Sequence, residues 1–434
     1  MVDVEHPAPD DRPFLIQVSS LSAVAREAFA VSVAQRYRVW LFVGGAGRTQ
    51  TVTWEGPYIV GHTGIDTQDA PAMIEAARAL DARLRAEHGR GVAGVVCYDE
   101  ARIVDAAALA AALGLPTSPP EAVARCRDKH ATRTALAAAD VPQPRSRAVA
   151  DVPQAVAAAE AIGYPVVIKP RNLAASFGVL RVDAPDGIAA AHAHALSIDL
   201  PEEKNRYEAG VLVEEYLDGP EISVDAACFD GRVVPLGVAH KELGFAPAFE
   251  EVGHLVDGAD PLLRDPDLLA VLTGAHAALG FHTGVTHTEL RHSRGVWKVV
   301  EVNGRLGGGL IPHLDRLATG VDVNLAAADI AAGRTPELTP GPSRVAAIQF
   351  LYPDHDMTIA EIRVDTAALP PEVERAGLLA PTPREVKLPP NGQAWESRIA
   401  QIVAVADTEQ DCRAALEVAA KAFTVIPATE ESAP

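Results

Sequence analysis

Lysine is scarce in this chain. Of its 38 basic residues only seven are lysine, at positions 129, 169, 204, 241, 298, 387 and 421. A lysine inside a motif therefore carries weight, because its flexible ammonium acts as a point charge for phosphate where arginine would act as a rigid fork. Cysteine is rarer still. Cys97, Cys126, Cys228 and Cys412 are scattered, with no pair at metal-ligand or redox spacing, and read as reduced, mostly buried thiols. No stretch approaches the roughly 18 apolar residues of a membrane span. The segment Met1 to Asp11 is acidic and proline-rich and lacks a basic n-region, so it does not read as a secretory signal. Positive charge is in deficit overall, with a formal net charge of −20. That balance argues against nucleic acid or an anionic membrane as partner, but leaves room for a small anion in a local cationic pocket. A soluble cytoplasmic protein is expected.

The 434 residues suggest about three domains of roughly 150 residues each. Short β-type runs at 14–20, 38–43 and 92–98 alternate with Ala-rich helical stretches such as Ala72 to Glu87, which predicts an α/β domain with a parallel sheet ending near Leu115. Gly44-Gly45-Ala46-Gly47 follows a strand, yet Thr49 to Trp54 continues as β, so a turn is read there rather than a phosphate loop. Pro119 to Ala139 is helical in pattern, and Val141-Pro142-Gln143-Pro144 stops it. Further strands are read at Val166 to Lys169, Val179 to Val182, Val211 to Leu217 and Glu221 to Phe229, with a helix over Leu268 to Leu279. After Gly333 a proline-rich joint opens a last region with β-like runs at Val345 to Leu351 and Arg398 to Val405 and a helix over Cys412 to Phe423.

The most informative stretch runs from Thr288 to Gly309. Ser293-Arg294-Gly295 reads as a turn between two strands, so Glu289 and Glu301 should face each other across a hairpin. Opposed like charges in such a pair are destabilising, so a positive group is expected between them. By strand alternation Glu301, Asn303 and Arg305 share a face. Two carboxylates and an amide oxygen suit Mg²⁺, which takes one or two carboxylates and completes its shell with water and substrate phosphate. A surface hairpin with solvated acids is the competing reading; the in-phase Asn303 and Arg305 and the glycines 307 to 309 weigh against it.

Other motifs supply what that site lacks. Lys129 stands at a helix start, Asp128-Lys129-His130, and Lys169 ends the apolar strand Val166-Val167-Ile168 at the mouth of a loop. Backbone N–H groups from Ala174 to Gly178 can close over phosphates as a nest does. The lysine precedes the loop and no Gly-Lys-Ser/Thr is present, so this is not a Walker A loop. In Val213-Glu214-Glu215-Tyr216-Leu217 an exposed backbone edge can match adenine, and Glu221 can accept from ribose hydroxyls; a plain strand with a core tyrosine is the alternative.

Taken in order, these motifs resemble the ATP-grasp superfamily from about Pro116 to Arg334. The resemblance rests on Asp128-Lys129, Gly-Tyr-Pro-Val-Val-Ile-Lys-Pro at 163–170, Ser176-Phe177-Gly178-Val179, Glu-Glu-Tyr-Leu-Asp-Gly-Pro-Glu at 214–221, and Glu289 with Glu301-Val302-Asn303-Gly304-Arg305. It implies a multidomain α/β and α+β protein: a Rossmann-like domain at 1–115, an ATP-grasp N-terminal lobe with its lid loop at 116–210, a C-terminal lobe with the ATP and metal site at 211–335, and a C-terminal subdomain at 336–434. Under the resemblance Lys129 and Lys169 contact phosphates, Ser176, Phe177 and Gly178 form the lid, and Glu214, Glu215, Tyr216 and Leu217 line the adenine. Glu221 takes the ribose, Glu289, Glu301 and Asn303 hold Mg²⁺ or Mn²⁺, and Arg305 stabilises the acyl intermediate.

Within the superfamily the chain is similar to bacterial carboxylate–amine ligases of the L-amino acid ligase type, through Phe249-Glu250-Glu251-Val252-Gly253-His254 and Gly307-Gly308-Gly309. That narrower likeness implies ATP-dependent amide formation from small carboxylate and amine substrates, as in peptide antibiotic pathways, with Glu251 and His254 facing them. Homodimers are compatible with it. Two other readings stay open: a carboxylase or purine-pathway ligase of the same fold, and a nucleotide-binding regulatory protein without turnover.

Overall fold

The computed structural model describes residues 10–19, 29–44, 58–198, 210–389, 392 and 394–428. Gly45, Ala46 and Gly47, the run Thr49 to Trp54 and Lys204 lie outside them. By contact the chain divides into two units, 1–120 with 324–336, and 121–323 with 337–434.

In the first unit β1 (Phe14–Ser19), β2 (Arg38–Val43), β3 (Ile59–Gly64) and β4 (Val92–Cys97) form a parallel sheet in the order β3-β2-β1-β4. Strand β3 alternates exposed and half-buried residues, as an edge strand does, and its polar Gly-His-Thr-Gly sequence hides it from a search for apolar runs. The helix Ala70–His88 packs Met73, Ala77, Leu80 and Leu84 into the core with Leu109 of the helix Ile103–Ala112. The helix Val323–Ala331, which the sequence pattern attaches to the preceding lobe, groups from residue 324 with this unit. Its buried Asp329 accepts from the Tyr37 hydroxyl at 2.5 Å and pairs with Arg36.

The second unit holds the remaining sheets. Strands β5 (Ser146–Val149), β6 (Val166–Pro170), β7 (Leu180–Val182) and β8 (Val211–Glu215) pair antiparallel in the order β5-β8-β6-β7. Next come β9 (Glu221–Phe229), β10 (Arg232–Gly244), β11 (Glu250–Asp257), β12 (Gly284–Ser293) and β13 (Val296–Asn303). The last region contributes β14 (Val345–Leu351), β15 (Met357–Val364), β16 (Val373–Leu378), β17 (Arg384–Val386), β18 (Ala400–Ala406) and β19 (Phe423–Pro427). Of these, β14, β18 and β16 do not form a sheet of their own. They extend one antiparallel sheet of eight strands, ordered β13-β12-β9-β10-β11-β14-β18-β16. Only β17, β15 and β19 stand apart as a small sheet.

The hairpin β12–β13 turns on Arg294 and Gly295, both with positive φ (53° and 80°). Two left-handed central residues give the turn whose twist matches paired strands. Its register sets Glu289 opposite Glu301 and His287 opposite Asn303.

Where the pattern suggested one helix over 119–139 there are two, Pro120–Arg127 and Lys129–Ala138, parted by Asp128. Asp128 caps the second helix, accepting from the amides of His130 at 2.9 Å and Ala131 at 3.3 Å. The same carboxylate takes Arg171 at 2.8 and 2.6 Å, so one side chain ties the start of the Lys129 helix to the end of β6. Replacing Asp128 with alanine should cost about 1–2 kcal/mol for the cap, read as a lower midpoint in urea unfolding; a midpoint equal to wild type would show that the cap is dispensable.

Candidate active site

Between the four-stranded and eight-stranded sheets of the second unit lies a cleft of about 920 Å³, open at its mouth. Lys169, Glu214, Glu215, Tyr216 and Leu217 line one end. Lys129, Glu221, Glu251, Glu289, Glu301, Asn303 and Arg305 line the other. Ser176 and Phe177 border it from the loop after β6, where Ala175 and Ser176 adopt left-handed φ of 54° and 56°. Two of the anticipated residues do not line it. Gly178 faces a neighbouring cavity, with φ of 70° and room for no Cβ, which would sit 2.8 Å from Pro170. His254 is buried beneath the cleft floor, 3.4 Å from Glu251 through Nε2.

Each acid and lysine of the cleft is already engaged. At the first end, Lys169 Nζ lies 2.6 Å from Glu214, whose carboxylate is also gripped by Arg133 at 2.7 and 3.1 Å. Burial would raise the Glu214 carboxyl, but Arg133 and Lys169 overcome it and hold the group at about 2. Burial likewise pushes the Lys169 ammonium down, against the pull of Glu214. Arg133 also donates to the carbonyls of Val299 and Val300 on β13 at 3.2 and 2.7 Å, so it joins the two sheets that wall the cleft. Glu215 accepts from Lys298 at 3.1 Å and from the Arg145 amide at 3.2 Å.

The positive charge expected between Glu289 and Glu301 is supplied by two lysines. Lys129 Nζ stands 2.8 Å from Glu301 and donates to the Leu173 carbonyl. Lys241, on β10, stands 2.9 Å from Glu289, 2.6 Å from Glu251 and 3.2 Å from Glu221. Its side chain is 1% exposed. Burial alone would lower this ammonium; Glu251, Glu289 and Glu221 raise it well above the ordinary value. Glu251 is held at about 2, with burial opposing and Lys241 prevailing. His254 is driven by burial to about 4 despite Glu251, which makes it a neutral imidazole at pH 7.

Three of these contacts lie outside the residues read from sequence: Lys241, Arg133 and Arg291. Lysine scarcity was the one signal for Lys241, since its partners stand on three other strands. Arg291 donates to Glu221 at 2.8 Å and to the Leu217 carbonyl at 2.8 Å, and its guanidinium lies over the Tyr216 and Phe249 rings at 5.9 and 5.6 Å. The Leu217 carbonyl is thus committed inside the protein.

The donor chemistry at the hairpin suits a hard cation. Glu289 is held well below the usual range, burial opposing while Lys241 and His287 prevail. The Asn303 amide nitrogen turns to the His287 carbonyl at 3.5 Å, which leaves its oxygen as the third hard donor. Among the described residues no cluster of three or more His, Cys, Asp or Glu is arranged as a metal cage. Two carboxylates and an amide match a cation of the Mg²⁺ type, which completes its shell with phosphate and water.

Residues 162–313, which carry most of the residues lining this cleft, match the family model described as an ATP-grasp domain. The chain carries that domain. It is 28% identical over 308 residues to carnosine synthase 1 of Gallus gallus, covering 67% of this chain and 32% of the relative. It is 26% identical over 291 residues to alanine–anticapsin ligase of Bacillus subtilis, covering 61% and 60%. The chain thus spans less than two thirds of these curated relatives. Among solved structures, the L-amino acid ligase of Bacillus licheniformis superposes with a TM-score of 0.78 at 21% identity, over 96% of this chain and 99% of the other. That likeness shows the fold. Among the described residues no helix is long and apolar enough to cross a membrane.

Glu214 makes a pH-dependent prediction. Its folded value of about 2 lies below the ordinary glutamate value of 4.5, so its stabilisation is complete above that ordinary value and fades as pH falls toward the folded one. Glu214→Gln leaves Lys169 and Arg133 without their carboxylate and should cost about 3–5 kcal/mol at pH 7. Urea unfolding should show the gap from wild type narrowing below pH 4; a gap constant with pH would sink the assignment.

Proposed function

We propose that this chain is an ATP-dependent ligase that joins a small carboxylate to an amine through an acyl phosphate, releasing ADP and phosphate. The observation that carries this reading is the gathering of Lys129, Lys169, the opposed Glu289 and Glu301, Asn303 and Arg305 around one cleft. The names of the relatives, an alanine–anticapsin ligase and an L-amino acid ligase, agree with it. An amino acid or related small carboxylate is the proposed acyl donor, in natural-product metabolism.

A free carboxylate does not form an amide at neutral pH, because oxide would have to leave. In the proposed reaction a carboxylate oxygen attacks the γ-phosphorus of ATP and the bond to the β-phosphate oxygen breaks, giving ADP and an acyl phosphate. Lys129 and Lys169 offset charge on the phosphates, since positioning and electrostatics carry most phosphoryl-transfer catalysis. Glu289, Glu301 and Asn303 would hold Mg²⁺ or Mn²⁺, which when bound neutralises phosphate oxygens. The nucleotide base lies along Glu214 to Leu217 and the ribose at Glu221. The neutral amine nitrogen then attacks the acyl carbon, Arg305 stabilises the oxyanion, and the carbon–oxygen bond to phosphate breaks as the nitrogen passes its proton to the departing phosphate.

Glu251 is suited to orient the amine rather than to deprotonate it. Glu221 and Glu289 each have a second cation, Arg291 and His287. Glu251 shares only Lys241 and meets the neutral His254. It keeps negative charge facing the cleft, where an ammonium would find it, and a carboxylate held near 2 is a weak base.

Arg305→Ala should lower amide formation by about 10²–10³-fold while nucleotide affinity, read by calorimetry with ADP, changes little; equal losses in both would make Arg305 merely structural. Glu301→Gln should lose metal-dependent phosphate release while its circular dichroism stays that of wild type, and undiminished release would remove Glu301 from the metal site. Phosphate release screened over amino acid pairs, with bicarbonate and formate alongside, tests the function itself: release with bicarbonate alone marks a carboxylase, and nucleotide binding with no release across the panel marks a protein without turnover.

A further inference from the structure

Beneath the cleft floor is a carboxylate that the proposed reaction does not use. Asp225, on β9, is 1% exposed. Its Oδ1 accepts from His287 Nδ1 at 2.7 Å, and both its oxygens accept the backbone N–H of Gly307 at 3.2 Å. The other ring nitrogen of His287, Nε2, faces Glu289 Oε1 at 3.6 Å. Gly307 is seated against the same ring: a Cβ there would stand 2.8 Å from His287 Nδ1. One buried side chain thus touches two strands of chain at once. One ends in Glu289 of the hairpin; the other is the turn two residues beyond Arg305.

From this joint we infer that Asp225 is a positioning residue, which fixes Glu289 through the His287 ring and Arg305 through the Gly307 amide. A wholly buried carboxylate is costly unless its oxygens are satisfied, and here two of its acceptances go to the flanks of residues assigned to the reaction. A glycine at 307 is required for contact rather than for backbone freedom, since its φ is not positive and only the space for a side chain is missing. On the far side the buried Asp315, from the helix Ile311–Thr319, meets Asp225 itself, burial and then Asp225 raising its carboxyl well above the ordinary value, and it packs beside β10 so closely that a Cβ on Gly237 would lie 1.9 Å from its Oδ1. The joint is therefore walled in and has little room to relax when one member is altered.

The inference rests on the ligase reading, and its test separates the two. Asp225→Ala removes both acceptances. Asp225→Asn keeps an amide oxygen where Oδ1 stands, in reach of His287 and Gly307. Gly307→Ala drives a methyl group into the His287 ring and disturbs the same joint without touching Asp225. In steady-state turnover Asp225→Ala and Gly307→Ala should each lose at least about 100-fold in kcat while KM for ATP moves less than about threefold, and Asp225→Asn should restore most of kcat; rate losses of this size are those of a misplaced reacting group. Should Asp225→Ala fail to fold, Gly307→Ala carries the comparison. Parallel losses in kcat and KM, or loss of melting temperature with kcat unchanged, would overturn the role. Mn²⁺ binding followed by electron paramagnetic resonance in the presence of ADP reads the Glu289 arm without turnover: about tenfold weaker binding in Gly307→Ala supports the joint even if wild type proves inactive with every substrate pair, and unchanged binding refutes it.

Discussion

One buried ammonium organises the reaction end of this protein. Lys241 reaches Glu221, Glu251 and Glu289, which belong to three different strands of the large sheet. Three carboxylates gathered without it would repel one another in a medium that screens far less than water. With it, they lie together in one cleft, where the proposed function gives them a ribose, an amine and a cation. The arrangement needs β12, β9, β10 and β11 to be adjacent, and the ladder puts them in that order. Sheet topology and charge thus constrain each other.

A second network does the same for the nucleotide end. Arg133 bridges Glu214, and through it Lys169, to the carbonyls of β13. Its helix is started by Asp128, whose carboxylate also takes Arg171 at the base of the loop after β6. The lysines given to phosphate in the proposed function are each paired with an acid, Lys129 with Glu301 and Lys169 with Glu214. A phosphate entering the cleft would exchange one set of charge-assisted contacts for another, which spares it the cost of ordering long side chains at the moment of binding.

What could be read from the sequence was what is local. Arg294 and Gly295 announce a turn, the turn sets a register, and the register opposes Glu289 and Glu301; all of this lies within some twenty consecutive residues. The alternating parallel unit at the N-terminus was legible for the same reason, through its β1, β2 and β4 runs, while the polar β3 was not. Lys241 escaped because its partners are brought to it by three separate strand pairings, and no spacing in the chain encodes that. Arg133 and Arg291 escaped likewise: each is a lone arginine on its element that reads as solvated surface, and only the fold reveals that both are buried against carbonyls. That β14, β18 and β16 join the large sheet was not legible either, since an apolar run does not say which sheet it will join.

That last point reaches further than the fold. Because β14 pairs with β11 along Gly253 to Asp257, and Arg398 donates to Glu250 and to the Glu251 carbonyl, the final hundred residues hold the strand that carries the proposed amine-facing acid. A chain ending where the family match ends, at residue 313, would leave β11 as a bare apolar edge, open to pairing with other chains. The tail is hence no removable appendage: it closes one edge of β11 and fixes the backbone on either side of Glu251.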